Sequence, residues 1–522
     1  MEPLFSIPIS RRDFMKLAGL AVTGAALGGA VPEAEGAAAP TPKADFSQTE
    51  LPVLLDVDVC VVGGGSAGTA AAVVAGRRGA KTVLVERNIA LGGLSTQGCV
   101  YPCMPTFAYG SDTPYITDLN KRMEGQGIAP LLGVETPTFY GGGAGQYSPD
   151  YLSYTYDEMC AEAEVEILYN ASLVGAIVEE GKIRSCIVQT VAGLGLINAK
   201  VFIDATGDAL LSRFAGVPVE KGAEKTGRNQ PMSLRFEMSG IDVQRAHRFF
   251  KEEFKDTWSL EQPSYFFEFA KWKKTEDFFK SGVKSGELTE DDILYIQAFA
   301  IIGKPGTMSM NCPELPPLRF SSTDALSLSR SVSFGMRMQR RLADFFVKHI
   351  KGFEKAQISR MASQVGVRES WRVKGKYYMT ADDYFEARHF PGAVCRTAYP
   401  IDIHDVALDL QKKLKKGDYY EIPYDALVVN ELSNLMVAGR CASGSFAAQA
   451  SHAHPAHLHE YGRSRRHSRR LGHRPRHRGK CPALGGYTQG AAQLCKRRIN
   501  IPLEKRESHP ERNAQNGILF LV

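Results

Sequence analysis

Several blocks of apolar and polar pattern stand out along the chain. Residues 57–62 read V-D-V-C-V-V, a short β-branched run suited to a strand buried in a parallel sheet. Residues 69–78 are rich in alanine and favour helix, Gly79 ends that helix, and residues 81–85 give a second strand closing on Glu86. Strand-like segments at 166–169, 176–179 and 183–188 lead into V-F-I-D-A-T-G-D over 201–208, a further strand and turn. From 226 to 365 the spacing becomes helical, with Phe249, Phe250, Phe254, Trp258, Phe266, Phe267, Phe269 and Trp272, and an amphipathic helix is expected over 327–350. An aromatic stripe of this kind more often marks a core than a ligand-stacking face.

These patterns predict an α/β protein: a Rossmann-like domain with an inserted antiparallel sheet and a mixed, largely helical cap. The expected divisions are 1–39 as a leader, 55–225 and 366–451 as two parts of the nucleotide domain, 226–365 as a cap or substrate domain, and 452–522 as a tail. A length of 522 residues suits two or three folding units. The formal charge of +6 is uneven, because residues 452–522 hold 15 Lys and Arg against 4 Asp and Glu. That tail carries +11 and leaves the remainder at −5, which argues against a nucleic-acid partner for the folded part. Ten cysteines without a CxxC pair argue against a zinc site or a cluster ligated by this chain, so no metal is expected.

At the N-terminus, S-R-R-D-F-M-K over 10–16 precedes a weakly apolar stretch and the small residues Ala37, Ala38 and Ala39. This is the layout of a cleaved signal peptide, and Arg11 with Arg12 resembles the twin-arginine type. Export to the periplasm is the expectation, with a mature chain that has no integral membrane segment.

The most specific chemical signal is Gly63-Gly64-Gly65-Ser66-Ala67-Gly68 between the first strand and the helix. Gly63 permits a tight turn, Gly65 lets backbone N–H groups near a pyrophosphate, and Gly68 lets helix and strand pack closely. Ser66 and Ala67 open the helix, whose N-terminus attracts phosphate. Glu86, 18 residues beyond Gly68, is placed for ribose hydroxyls and disfavours a 2′-phosphate.

Three further segments resemble flavoproteins with two dinucleotide-binding domains: L-G-G-L-S-T over 91–96, the 201–208 block, and N-L-M-V-A-G-R-C-A-S over 434–443. Such flavoproteins insert a small antiparallel crossover sheet, and the resemblance implies that role for the segments at 166–169, 176–179 and 183–188. With Arg368-Glu369-Ser370, Y-P-I-D-I-H over 399–404 and Ile422-Pro423-Tyr424, they resemble the FAD-dependent oxidoreductases related to the heterodisulfide reductase A subunit. The resemblance implies FAD as cofactor, held by Gly63, Gly65, Ser66, Ala67, Gly68, Glu86, Arg87, Gly92, Gly93, Ser95, Thr96, Val174, Ala205, Thr206, Gly207, Asp208, Gly439 and Arg440. Relatives that ligate iron–sulfur clusters use a cysteine-rich insert, which this chain lacks.

Flavin chemistry needs a cation or donor near developing negative charge and a base on the substrate side. Arg368, His404 and Arg440 are the catalytic candidates because they lie in these blocks. Asp402 and His404 are expected on one face of a strand, either as a tuned acid–base pair or as a structural hydrogen-bonded pair. Cys99 and Cys103 are open to three readings: a dithiol exchanging electrons with flavin, two small buried residues, or a disulfide.

Residues 452–480 contain seven of the twelve histidines and eight arginines without periodicity. Relatives place a small-residue helix there, and a shift of one nucleotide near Ser451 is compatible with its motif. A shifted frame is therefore expected, against a genuine tail that binds metal or polyanions. The functional expectation is an oxidoreductase passing hydride or electrons between a small organic substrate and FAD. The alternatives are a flavin subunit working with a redox partner protein, or a defunct frameshifted product.

Overall fold

The computed structural model describes residues 50–101, 113–125, 147–255, 268–270, 275–301, 303–404, 414–415 and 417–452. The leader, Cys103, Trp258, Phe266, Phe267, Trp272 and the tail beyond His452 lie outside the described residues.

Seven strands form the main sheet. Six are β1 (Val53–Val62), β2 (Thr82–Val85), β3 (Val165–Leu168), β4 (Ser172–Glu179), β5 (Lys182–Thr190) and β6 (Gly193–Asp204), and the seventh is the late strand Leu435–Val437. They run in the order β3-β2-β1-β6-β5-β4, and the late strand pairs with β6. β3, β2, β1, β6 and the late strand are parallel, whereas β4 and β5 return antiparallel to β6. β3 thus corrects one expectation. Residues 166–169 extend the parallel sheet beside β2, and only β4, β5 and the start of β6 build the antiparallel insertion.

β6 joins the two parts because it is long. One edge pairs with β1 from Leu196 to Asp204; the other pairs first with β5 over Gly193–Asn198 and then with the late strand over Phe202–Asp204. Val62, Val85, Val437 and Asp204 therefore end in register, and the turns that follow them crowd one edge of the sheet. Ligands of open α/β sheets bind at such carboxyl ends. Helix Ser66–Arg77 lies against this sheet on small side chains, with Ala67, Ala70, Ala71, Ala72 and Ala75 all buried.

A second, antiparallel sheet occupies the cap region: β7 (Phe236–Ser239), β8 (Glu268–Ala270), β9 (Gln297–Ala300), β10 (Met308–Met310) and β11 (Gln357–Met361), in the order β8-β9-β10-β7-β11. Its side chains alternate between faces, as the pleat requires. Phe236, Met238, Ala298, Ala300, Met308 and Met310 share a core with Leu342, Phe345 and Phe346 of the helix Ala325–His349. Phe250 is buried in that core, with Phe249 and Phe254 packed against it, so these members of the aromatic stripe are structural. Residues of the opposite parity, including Arg235, Glu237 and Ser309, face the nucleotide domain. The sheet escapes the helical-periodicity reading because its strands have only three to five residues.

Candidate functional site

The first-strand turn does what its glycines allow. Gly63 sits at φ +105°, and a Cβ there would lie 2.5 Å from the Ala205 carbonyl oxygen. A Cβ on Gly68 would lie 1.8 Å from the Gly63 carbonyl oxygen. At Gly65, in contrast, a Cβ would meet nothing within 4 Å. Gly63 and Gly68 are thus required by packing, while Gly65 fronts open space at the start of the helix. No side chain caps that start, so its first-turn N–H groups have no intrahelical partner and no side-chain one.

Glu86 points back at this loop. Its Oε2 accepts from the Gly64 N–H at 2.7 Å and its Oε1 from the Asn88 N–H at 2.8 Å, while the side chain is buried. Arg87 is exposed beside it. The 91–96 segment closes the other side: the Gly92 N–H donates to the Gly64 carbonyl at 2.8 Å, Ser95 Oγ lies 3.4 Å from Ser66 Oγ, and Thr96 Oγ1 donates to the Leu91 carbonyl at 2.6 Å. Gly92 and Gly93 both have positive φ, at 104° and 53°. Val174 falls where the β4–β5 register slips between Leu173 and Gly175, which leaves its backbone out of the ladder.

At the end of β6, buried Asp204 organises the turn of Ala205, Thr206, Gly207 and Asp208. Its Oδ1 accepts from the Thr206 N–H and hydroxyl, and its Oδ2 from the Ser212 N–H and hydroxyl, all within 3.1 Å. Burial nevertheless pushes its pKa up. Asp208 accepts from Arg440 Nη2 at 3.0 Å and Ser370 Oγ at 2.7 Å. Burial would raise its pKa, but the Arg440 guanidinium, the Ser370 hydroxyl and the charge of Arg87 together hold it below the usual carboxylate range. Gly439, at φ 91°, aims Arg440 into this turn. Among the described residues Arg440 pairs with Asp208 and its Nη1 donates to Ser370 Oγ at 2.8 Å, so it braces the 205–208 turn.

Sequence reasoning assigned no role to Glu369, yet it anchors the block that carries Arg368. Fully buried Glu369 pairs with buried Arg372 and accepts from the Gly222 N–H at 2.8 Å and Asn229 Nδ2 at 2.7 Å. Arg372 continues to the Gly444 carbonyl at 2.9 Å, beside the late strand.

Arg368 and His404 come together, and Asp402 with them, though residues 401–404 are extended chain outside any strand. His404 Nε2 lies 3.5 Å from Asp402 Oδ1, and its Nδ1 lies 3.1 Å from Glu314 Oε2, a partner no motif announced. Burial and Arg368 push the His404 pKa down, but Asp402 and Glu314 outweigh them and it stands above the ordinary histidine value. Burial would raise Asp402, but His404, Arg368 and the Tyr399 hydroxyl hold it far below the usual range. The Tyr295 ring packs against His404, with centroids 5.2 Å apart.

The polar face of the cap sheet meets this group through Arg235, also unforeseen. Arg235 is buried, and its Nη1 donates to the carbonyls of Tyr101 at 3.0 Å and Cys99 at 3.5 Å. Ser309 donates to the same Cys99 carbonyl at 3.1 Å. A quartet of charge, of which only Glu237 is buried, ties the cap to the 91–96 loop: Lys304 and Arg360 face Asp150 and Glu237, and Arg360 Nη2 donates to the Thr96 carbonyl at 2.9 Å. Cys99 is a free, buried thiol whose pKa burial pushes up to about 11, so it resists forming a thiolate. Its pairing with Cys103 lies outside the described residues. Among the described residues no His, Cys, Asp and Glu cluster suits a metal ion, and no helix is long and apolar enough to cross a membrane.

Among known proteins, the chain is 29% identical over 173 residues to the thiamine thiazole synthase of Methanococcus aeolicus, covering 29% of this chain and 56% of that protein. The chain thus spans about half the length of this curated relative. Among solved structures it is similar to a geranylgeranyl bacteriochlorophyll reductase-like protein of Thermoplasma acidophilum, at 15% identity and TM-score 0.37 over 78% of this chain and 75% of that one. It is also similar to p-nitrophenol 4-monooxygenase from Pseudomonas putida, at 12% identity and TM-score 0.33 over 62% and 70%. The family model for FAD-dependent oxidoreductases matches residues 58–464, most of the chain. With open space at Gly65, an acid bonded to the loop and uncapped N–H groups beside them, the cradle fits the cofactor of that family. The chain belongs to the FAD-dependent oxidoreductases.

Proposed function

We propose that this chain oxidises or reduces a small organic substrate bound between the cap sheet and the nucleotide domain, in the line related to the heterodisulfide reductase A subunit. One observation carries the reading: polar side chains of the cap sheet, Arg235 and Ser309, bond to the carbonyls just beyond the 91–96 loop of the dinucleotide cradle. The cap, taken as residues 226–365, thereby sets its polar face against the redox domain. Gly63, Gly65, Ser66, Ala67, Gly68, Glu86, Arg87, Gly92, Gly93, Ser95, Thr96, Val174, the 205–208 turn and Gly439 would hold FAD. FAD, when bound, supplies the two-electron acceptor or donor.

Arg368 and His404 are the groups proposed to meet substrate. With its pKa raised, His404 keeps its proton to higher pH than an ordinary histidine and is proposed as a proton donor. The groups facing it are Asp402, Glu314, Arg368 and Tyr295. A raised folded-state pKa gives a contribution fully present below the ordinary histidine value and lost as pH rises through the raised one. Turnover, measured as reduction of a dye acceptor, is expected to fall along that alkaline limb. His404→Ala is expected to keep FAD while losing turnover by about 100-fold or more, the scale of general acid catalysis. Undiminished activity would remove His404 from the mechanism.

The N-terminal pattern supports export by a twin-arginine-type route, which accepts folded, cofactor-loaded proteins. Sequencing the N-terminus of protein recovered from the periplasm is expected to begin near Pro40. An intact Met1 on that material would overturn this.

A further inference from the structure

Two arginines, Arg235 and Arg368, reach the group around His404. Arg235 is 6% exposed and has no carboxylate within ion-pair distance among the described residues, nor does Arg368. The Nε of each is buried without a hydrogen-bond partner. Arg368 is near enough to act electrostatically on Arg235, His404 and Asp402 alike. Burial, and then the charge of half-buried Arg368, push Arg235 down to about 10.

Leaving a guanidinium buried and unpaired costs several kcal/mol, so such a site is favoured when an anion completes it. Arg235 and Arg368 lie near His404, Asp402 and Glu314, while Lys304, Arg360, Asp150 and Glu237 pair among themselves. Guanidinium Nε and Nη donors form a planar fork that matches a carboxylate in bidentate fashion. Arg235 is held for this by its own backbone, whose carbonyl accepts from Gln339 Nε2 at 3.3 Å, and by the two carbonyls beyond the flavin-side loop.

We infer that Arg235 and Arg368, with His404 beside them, form the recognition site for the carboxylate of an organic-acid substrate. This rests on the oxidoreductase reading above and narrows its substrate class. His404 then lies next to the bound carboxylate, on the carbon skeleton to be oxidised or reduced.

The test uses FAD-loaded protein and three carboxylates, acetate, pyruvate and benzoate, each compared with its neutral amide. Perturbation of the flavin absorption spectrum is expected with at least one acid and not with its amide. Arg368→Gln is expected to weaken that acid by about 10- to 100-fold, the scale of a hydrogen bond to a charged group. Arg235→Lys keeps the charge but loses the fork, and is expected to weaken it too while holding FAD. Equal response to acid and amide, no response to any acid, or unchanged affinity in Arg368→Gln overturns the inference. Protein isolated without FAD contradicts the oxidoreductase reading instead; carboxylate binding is then read from the melting temperature with the same panel.

Discussion

Replacing Gly68 with alanine is expected to cost the protein both its FAD and part of its stability. The new methyl would stand 1.8 Å from the Gly63 carbonyl oxygen and 3.0 Å from the Ala205 Cβ, so helix, turn or strand must move. Overpacking of this kind costs about 1–3 kcal/mol. The displaced element is the helix start proposed to face the FAD phosphates, so retained FAD should fall at the same time. Gly65→Ala separates the two effects. Its backbone is at φ −68°, which any residue adopts, and its Cβ would meet no protein atom within 4 Å. Stability should fall by about 1 kcal/mol, because alanine is a poorer N-cap than glycine, while FAD retention falls if the methyl intrudes where the pyrophosphate is proposed to sit. Melting temperature of the FAD-free proteins, and FAD released per polypeptide, check both. A Gly68→Ala protein that melts with the parent, or a Gly65→Ala protein that holds FAD fully, would sink this account of the loop.

The second large effect is expected from Arg372→Met. It leaves Glu369 buried with the Gly222 N–H, Asn229 and the charge of Arg440, and it also takes Arg372 from Glu220. Removing one member of a buried pair costs about 3–5 kcal/mol, because the other charge stays uncompensated. Burial already pushes the Glu369 pKa up against the pull of Arg372, so the orphaned acid should take up a proton. Joining Glu369→Gln to Arg372→Met removes that charge and should recover much of the loss. Urea denaturation of the parent, single and double variants measures this. A double variant no more stable than the single would show that packing, not charge, dominates. The pair matters for chemistry because it fixes the segment on which Arg368 and Ser370 stand.

The cradle was legible because its chemistry is local. Gly63, Gly65, Gly68 and Glu86 belong to one βαβ unit whose spacing follows from helix and strand geometry. The 201–208 and 434–443 blocks could be placed by resemblance, and the register of Leu435–Val437 with Phe202–Asp204 brings them together. The assignment of residues 166–169 to the crossover sheet failed because a four-residue strand, V-E-I-L, has no feature that distinguishes a parallel edge from an antiparallel one. Arg235 and Glu314 escaped for another reason. Neither lies in a recurring motif, and each reaches the site from the cap through contacts far apart in sequence. A polar residue every second position in short strands, as in Arg235 and Glu237, was the available signal. It was masked by the surrounding aromatic residues.

The length of β6 also bears on how the chain is made. Its far edge over Phe202–Asp204 is filled only by Leu435–Val437, and Asn434 is bonded to Ile183 across 251 residues of sequence. During synthesis the first half of the nucleotide domain must wait, with that edge unpaired, while the whole intervening insertion is translated. Open strand edges pair readily with other chains, and distant closures are slow. Ribosome-bound intermediates of this protein therefore present a sticky seam for most of their lifetime, and the last strand sews it shut.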